Sequence, residues 1–353
     1  MQAEQLASAH RGAPVNPANR FEKIHLEPDA DWNPEDDVLP RTQFLVDHSK
    51  TAISHNDSPD VGFSASLNPY RGCEHGCIYC YARPTHEYLG FSSGLDFETK
   101  IMVKLNAPEL LREELSSAKW KPQVLVMSGV TDCYQPVERK LKITRRCLET
   151  LFEFRNPVGI ITKNLLVTRD IDVLAEMAKH RCASVCLSIT TLDTNLRKVM
   201  EPRTSPPQAR LNAIRKLSEA GIPVSVNVAP IVPGLTDHEM PAILKAAREA
   251  GATSAGFTVV RLPYANTTLF EKWLETHFPD RKDKVLNRIR SMRGGKLYDA
   301  EWGKRMRGEG IFAEQIEAMF NVARRKAGFT EEGRAELSLA GFRRPGGQQL
   351  SLF

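Results

Sequence analysis

The sequence predicts an α/β protein built as a partial (β/α)6 barrel of the TIM type, with an extended N-terminal arm and a helical C-terminal extension. Three observations carry this. Short β-branched runs alternate with helical patterns, the runs are near-continuously apolar, and they number six rather than eight.

The elements follow in chain order. Residues 1–60 hold Pro14, Pro17, Pro28, Pro34 and Pro40 with weak periodicity and read as an extended arm. A first strand is placed at 61–67, just before the first cysteine, and further strands at 123–127, 158–162, 184–189, 223–229 and 255–260. Helical periodicity fills 108–118, 137–154, 169–180, 206–220 and 237–250, with Gly221 and Gly251 as stop signals. Past 265 the pattern is helical at 266–276, 282–292 and 313–325. The expected divisions are therefore an arm at 1–60, the barrel at 61–265, a basic helical extension at 266–342 and a tail at 343–353. In such a barrel the chemistry belongs at the carboxyl ends of the strands.

Composition narrows the classes. The chain has 353 residues, 41% hydrophobic and 26% charged, near globular averages, which excludes a disordered, collagenous or coiled-coil protein. No apolar run approaches the roughly 18 residues of a membrane span. Seven cysteines without an export signal point to a reducing, cytoplasmic setting. Charge is uneven: residues 1–60 hold 5 basic and 11 acidic side chains, whereas 281–353 hold 16 and 9. That basic end is either a solvated helical surface or a footprint for a polyanion.

The strongest signal is Cys73-Glu74-His75-Gly76-Cys77-Ile78-Tyr79-Cys80-Tyr81, a CxxxCxxC loop after the first strand. Three thiolates can hold three irons of a [4Fe–4S] cluster and leave the fourth open to an exogenous ligand. A structural zinc site wants four ligands, and the nearest fourth is His75 or His86. Three packed thiols are the remaining alternative, one that needs no such spacing.

CxxxCxxC with an aromatic before the last cysteine, opening a partial barrel, resembles the radical S-adenosylmethionine superfamily. Beyond the loop the chain is similar to its spore photoproduct lyase-related branch. The matching features are Cys77–Tyr81, the strand end 127–133, Thr162-Lys163, Leu187-Ser188-Ile189, Glu201 to Pro206, and Val228-Ala229-Pro230-Ile231. The likeness spans about residues 61–235. It implies that Cys73, Cys77 and Cys80 ligate a [4Fe–4S] cluster, and that S-adenosyl-L-methionine chelates the open iron through its amino and carboxylate groups. Tyr79 and Tyr81 would lie against the nucleoside, with Thr131, Lys163, Ser188 and Ala229 as further cofactor contacts. Each has a plainer alternative: Lys163 as a surface lysine, Ser188 and Thr131 as helix caps, Ala229 as a residue before a turn. The implied chemistry is one-electron cleavage of the sulfonium to methionine and a 5′-deoxyadenosyl radical, fed by a reductase or flavodoxin-type donor.

One departure bears on substrate. Where the lyase carries its hydrogen-donating cysteine, this chain has Gly129, and Cys133 four residues on is the expected catalytic thiol; an ordinary loop thiol is the alternative. Glu201 and Arg203 either orient cofactor or substrate or pair on the surface. The stretch 296–307, with Tyr298 and Trp302 among basic residues, either binds a phosphate backbone or packs on the barrel. Finally, Gln349-Leu350-Ser351-Leu352-Phe353 resembles the peptide by which bacterial polymerases and repair proteins bind the DNA sliding clamp. The combined expectation is a radical enzyme acting on DNA, in lyase-type repair or base modification. The alternatives are the same chemistry on RNA, peptide or small molecule, or a non-catalytic iron–sulfur sensor.

Overall fold

The computed structural model describes residues 11–22, 41–330 and 333–345. Two short strands, β1 (Gln43–Val46) and β2 (Ile53–His55), lie within the expected arm. They are followed by β3 (Ala65–Leu67), β4 (Tyr70–Arg71), β5 (Lys100–Val103) and β6 (Leu125–Met127). The series ends with β7 (Val158–Thr162), β8 (Ala183–Ser188), β9 (Val224–Ile231) and β10 (Ser254–Val259). The main sheet runs β10-β9-β8-β7-β6-β3-β2, and a small sheet runs β1-β5-β4. In the main sheet β3 and β6 to β10 are mutually parallel, and β2 is the antiparallel edge.

These are the six parallel strands that the apolar runs predict. The register brings their carboxyl ends together: Leu67 lies beside Met127, Thr162 beside Leu187, and Ser188 beside Asn227. Helices cover the outside because each has one apolar stripe. The helix Ile143–Phe154, for example, buries Ile143, Cys147, Leu148, Leu151 and Phe154.

Several boundaries differ from expectation. The helix at 137–154 is split by Lys142, whose φ of 52° is left-handed. Glu138 stabilises the break by accepting from the Thr144 N–H at 3.1 Å. The element expected at 169–180 starts as a 3-10 turn, Leu165–Asp170, and becomes α-helical over Ile171–Lys179. The first strand occupies only the end of 61–67. The 3-10 helix Arg83–Leu89 and the helix Thr194–Met200 have no counterpart in the periodicity reading.

The two sheet edges, β10 and β2, are bridged from the side. The Val259 N–H donates to the Met306 carbonyl at 2.9 Å, while Gly303 N–H reaches Asp60 at 2.6 Å and Arg305 pairs with the same carboxylate. The basic stretch 296–307 thus packs against the barrel between β10 and the β2–β3 connection, yet leaves Trp302 exposed. Among the described residues no helix is long and apolar enough to cross a membrane. The clamp-like peptide Gln349–Phe353 and residues 1–10 and 23–40 of the arm lie outside the described residues.

Candidate active site at the carboxyl edge of the sheet

The cysteine loop leaves β4 and folds over the carboxyl edge. Gly72 and Gly76 take φ of 80° and 66°, left-handed values that side-chain-bearing residues rarely adopt. A Cβ on Gly72 would also stand 2.9 Å from the Phe97 carbonyl oxygen, so the tight turn needs glycine twice over.

Side chains fix the loop from four directions. Glu74 accepts from the Val137 N–H at 2.7 Å and from Arg203 at 2.9 Å, and its own N–H donates to Gln135 at 2.9 Å. Asn164 donates to His75 Nε2 at 3.1 Å, leaving Nδ1 to face Asp132 at 3.3 Å. Arg83, fully buried, donates twice to the Cys77 carbonyl and pairs with the buried Glu98. From outside, the N–H groups of Gly12 and Ala13 donate to the two Glu98 oxygens at 3.0 and 2.8 Å. The segment 11–20 therefore clasps the loop from behind, anchored further by Asn19 and Arg20 on Glu87.

Cys73 and Cys77 are buried and Cys80 half-buried, with Cys73 and Cys80 sharing an apolar cluster with Ala82 and Phe97. Burial pushes all three thiols up, and the Cys73 thiol further feels Asp132, Cys80 and Cys77. Thiols so desolvated carry negative charge readily only beside a cation or metal. Among the described residues no three His, Cys, Asp or Glu side chains converge as a site for a single metal ion. His75 is held by Asp132 and Asn164, and His86 directs Nε2 to the Lys100 carbonyl at 2.9 Å. Each imidazole is thus already engaged through Nε2, and three thiols are the set that a [4Fe–4S] cluster with one open iron requires.

Beside the loop lies a network at the ends of β7, β8 and β9. Lys163 Nζ donates to the Ala229 carbonyl at 2.7 Å and to Thr190 Oγ1 at 3.2 Å, and faces Glu201 Oε1 at 3.3 Å. The Tyr79 hydroxyl donates to Glu201, with Thr190 Oγ1 3.3 Å away, and Lys163 Nζ sits 5.6 Å from the Tyr79 ring centroid. Glu201 is fully buried and also pairs with the buried Arg210. Burial alone would raise its pKa, but Arg210 and then Lys163 outweigh burial and hold the carboxyl well below the usual carboxylate range. Tyr79 lies between Cys77 and Cys80, so the thiols and this network share one site.

The sequence-derived residues divide. Lys163, Ala229 and Tyr79 meet in the network. Ser188 borders it and lends its carbonyl to Arg210 at 2.8 Å. Thr131 spends its hydroxyl on the Tyr70 carbonyl at 2.6 Å. Tyr81 is 43% exposed and donates to the Gly129 carbonyl at 2.7 Å. Cys133 does not reach the mouth: it is fully buried in the core, its N–H bound to Ser128 and its carbonyl to Thr144. Glu201 and Arg203, for which surface pairing was an alternative, instead hold the network and the cysteine loop. Thr190 and Arg210 were missed. Thr190 had a signal, since it falls two residues past the end of β8, where a barrel places its chemistry. Arg210 lies in a helical pattern and had none.

The Radical SAM superfamily matches residues 67–247. The chain belongs to the radical SAM superfamily. That family uses a [4Fe–4S] cluster and S-adenosylmethionine. An uncharacterised protein of Mycobacterium tuberculosis is 38% identical over 222 residues, 62% of this chain and 65% of that protein, so the chain spans somewhat under two thirds of that relative. A radical SAM Nalpha-GlyT isomerase of a Pseudomonas phage is 28% identical over 193 residues, 52% of this chain and 38% of the phage protein. The solved structure of spore photoproduct lyase complexed with dinucleoside spore photoproduct has a TM-score of 0.59 at 17% identity, covering 81% of this chain and 79% of the lyase. This radical SAM chain and the lyase share a fold.

Proposed function

We propose that this chain is a radical S-adenosylmethionine enzyme that acts on nucleic acid, with DNA as the first candidate for lyase-type repair or base modification. The observation that carries the reading is the placement of the three-cysteine loop against the Lys163–Thr190–Glu201 network at the sheet's carboxyl edge. Cys73, Cys77 and Cys80 would hold the cluster, with no protein thiol positioned as a fourth ligand: Cys133, Cys147 and Cys182 are packed in the core and Cys186 lies within β8. When bound, the reduced cluster supplies one electron that cleaves the S-adenosylmethionine sulfonium to methionine and a 5′-deoxyadenosyl radical.

The chain's own groups would do the rest. Lys163 offers a cation for the cofactor's carboxylate, and Ala229 and Thr190 offer acceptors for its amino and hydroxyl groups. Tyr79 and Tyr81 would flank the nucleoside. Ser188 and Thr131 support the strand ends through the bonds described above. Cys133 is given no hydrogen-donating role, since its burial keeps it from the mouth. The substrate choice is supported by the basic C-terminal third and by the dinucleoside in the fold-related lyase. The sequence of Gln349, Leu350, Ser351, Leu352 and Phe353 supports recruitment by the sliding clamp, and the chemistry demands an external reductase or flavodoxin-type donor.

The deciding test is anaerobic reconstitution, reduction, addition of S-adenosylmethionine, and quantification of 5′-deoxyadenosine with and without undamaged or UV-irradiated DNA. Formation that is lost in Cys77→Ala, and raised by one form of DNA, is expected. An intact reducible cluster that never yields 5′-deoxyadenosine would turn the reading toward a sensor. Deleting 349–353 should abolish clamp binding and leave cofactor cleavage unchanged.

A further inference from the structure

A run of exposed aromatic rings and two stacked guanidinium groups leads from the cysteine loop across the protein surface. It starts at Tyr81, next to Cys80. Arg261, two residues past β10, lies over the Tyr81 ring, 4.3 Å from its centroid. Arg261 has no hydrogen bond or ion pair among the described residues, and Tyr298, Arg305, Arg293 and Asp60 are its other electrostatic neighbours. Asp60 does not neutralise it, being already occupied by Arg305 and the Gly303 N–H. A cation left without its own acid at the carboxyl edge is available to an anion from outside.

From there the run continues outward. The Tyr298 and Tyr264 rings are 6.3 Å apart, and Arg20 lies over Tyr264 at 3.6 Å. Arg20 is neutralised by Glu87, so it serves to hold Tyr264 face-on rather than to add charge. Phe21 then meets Tyr88 at 4.9 Å. Tyr264, Phe21 and Tyr88 are 57%, 56% and 73% exposed, although nothing in the domain's own packing requires three large rings in solvent.

We infer that this ribbon, from Tyr88 and Phe21 through Tyr264 to Tyr81 and Arg261, is a binding track for a single-stranded nucleic acid segment. Bases stack on the outer rings Tyr88, Phe21 and Tyr264, and a phosphate next to the reacting nucleotide sits on Arg261. A series of exposed π-faces, with a cation that no acid of the described residues pairs at its inner end, suits a single strand. A phosphate there lies one aromatic ring from the cluster loop, so the nucleotide following it enters the mouth. The inference rests on the nucleic-acid part of the proposed function, and it explains why segment 11–22 is fastened so firmly beside the loop.

The test uses reconstituted, full-length protein and fluorescein-labelled oligothymidylate, oligouridylate and a duplex of equal length, read by fluorescence anisotropy across a salt series. Single strands should bind better than duplex, and the DNA and RNA arms identify the source of the strand. Tyr88→Ala and Tyr264→Ala should each weaken binding about tenfold, the scale of one base–aromatic stack. Arg261→Gln should weaken binding and also reduce the slope of log K against log salt by about 0.7, as loss of one phosphate contact requires. Phe44→Ala, at an exposed ring on β1 outside the ribbon, should change neither.

Equal affinity of the ribbon variants and wild type, a salt slope unmoved by Arg261→Gln, or preference for duplex would each overturn the track. Protein that forms 5′-deoxyadenosine yet binds no strand removes the ribbon and leaves the radical chemistry. Ribbon-dependent binding without 5′-deoxyadenosine removes the enzymatic reading and leaves the ribbon.

Discussion

Replacing Glu201 by Gln should be strongly destabilising. The carboxylate is fully buried and sits between Arg210, whose side chain is 1% exposed, and Lys163, at 16%. Removing its charge leaves the Arg210 guanidinium among neutral acceptors only: the carbonyls of Ser205 at 2.9 Å and Ser188 at 2.8 Å, and Thr204 Oγ1 at 2.6 Å. These keep its N–H groups bonded but do not balance its charge. Breaking one side of a buried pair costs about 3–5 kcal/mol. At roughly 2 °C per kcal/mol for a large domain, Tm should fall by about 6 °C or more in scanning calorimetry at a fixed scan rate. Because the carboxyl is held below the ordinary range, its contribution is complete above the unfolded value of 4.5 and is lost only as pH falls through the much lower folded value. The deficit should therefore be the same at pH 6 and pH 8. Glu201→Gln combined with Arg210→Met should cost less than the two single losses added together. A Tm within about 1 °C of wild type, or strict additivity, would refute the reasoning.

Three further outcomes follow from the same geometry. Burial holds the His86 ring at about 4, down from 6.5, so the unfolded chain binds its proton first and wild-type stability should fall as pH drops from about 6.5 to about 4. The loss amounts to about 3 kcal/mol at about 1.4 per unit, and urea melts of His86→Asn should show a flatter profile over that window. In Gly12→Ala the added Cβ would stand 1.6 Å from the Gly76 carbonyl oxygen, which forces segment 11–20 off the loop; limited proteolysis within 11–22 should quicken several-fold. Lys163→Met removes a charge-assisted bond and should weaken S-adenosylmethionine binding by calorimetry about tenfold or more, with the cluster absorbance retained.

How much of this was legible in the sequence follows from what each residue's role depends on. The strands at 158–162 and 184–189 announced themselves because burial on both faces demands apolar, β-branched runs, and a run is a local property. The cysteine loop was equally local, since its three cysteines fall within eight residues. Lys163 and Ala229 were picked out by the resemblance to the lyase branch, which matches them at the ends of strands that the apolar runs define. Cys133 shows the limit: position in the right loop was visible, but its burial, on a backbone that Ser128 and Thr144 hold at N–H and carbonyl, is encoded by no spacing.

The same limit explains the buried carboxylate–guanidinium pair that the site depends on. Glu201 and Arg210 are separated by a turn, in one segment that reads as surface and one that reads as an ordinary amphipathic helix. Their burial results from the loop pressing down from above, with Tyr79 reaching Glu201 and Ile78 N–H reaching the Met200 carbonyl at 3.1 Å. Charge in a helix pattern is normally solvated, so a sequence cannot signal that a second, distant segment will exclude the water. The ribbon of rings has the same character. Tyr88, Tyr264 and Phe21 lie in three segments far apart in sequence, and each alone is an unremarkable exposed aromatic. Only the clasp of residues 11–22 behind the cysteine loop aligns them, and that clasp depends on Glu98 accepting from Gly12 and Ala13 while it neutralises Arg83. One buried carboxylate thus sets both the shape of the thiol loop and the surface that leads to it, so disturbing the clasp should affect strand binding and loop geometry together.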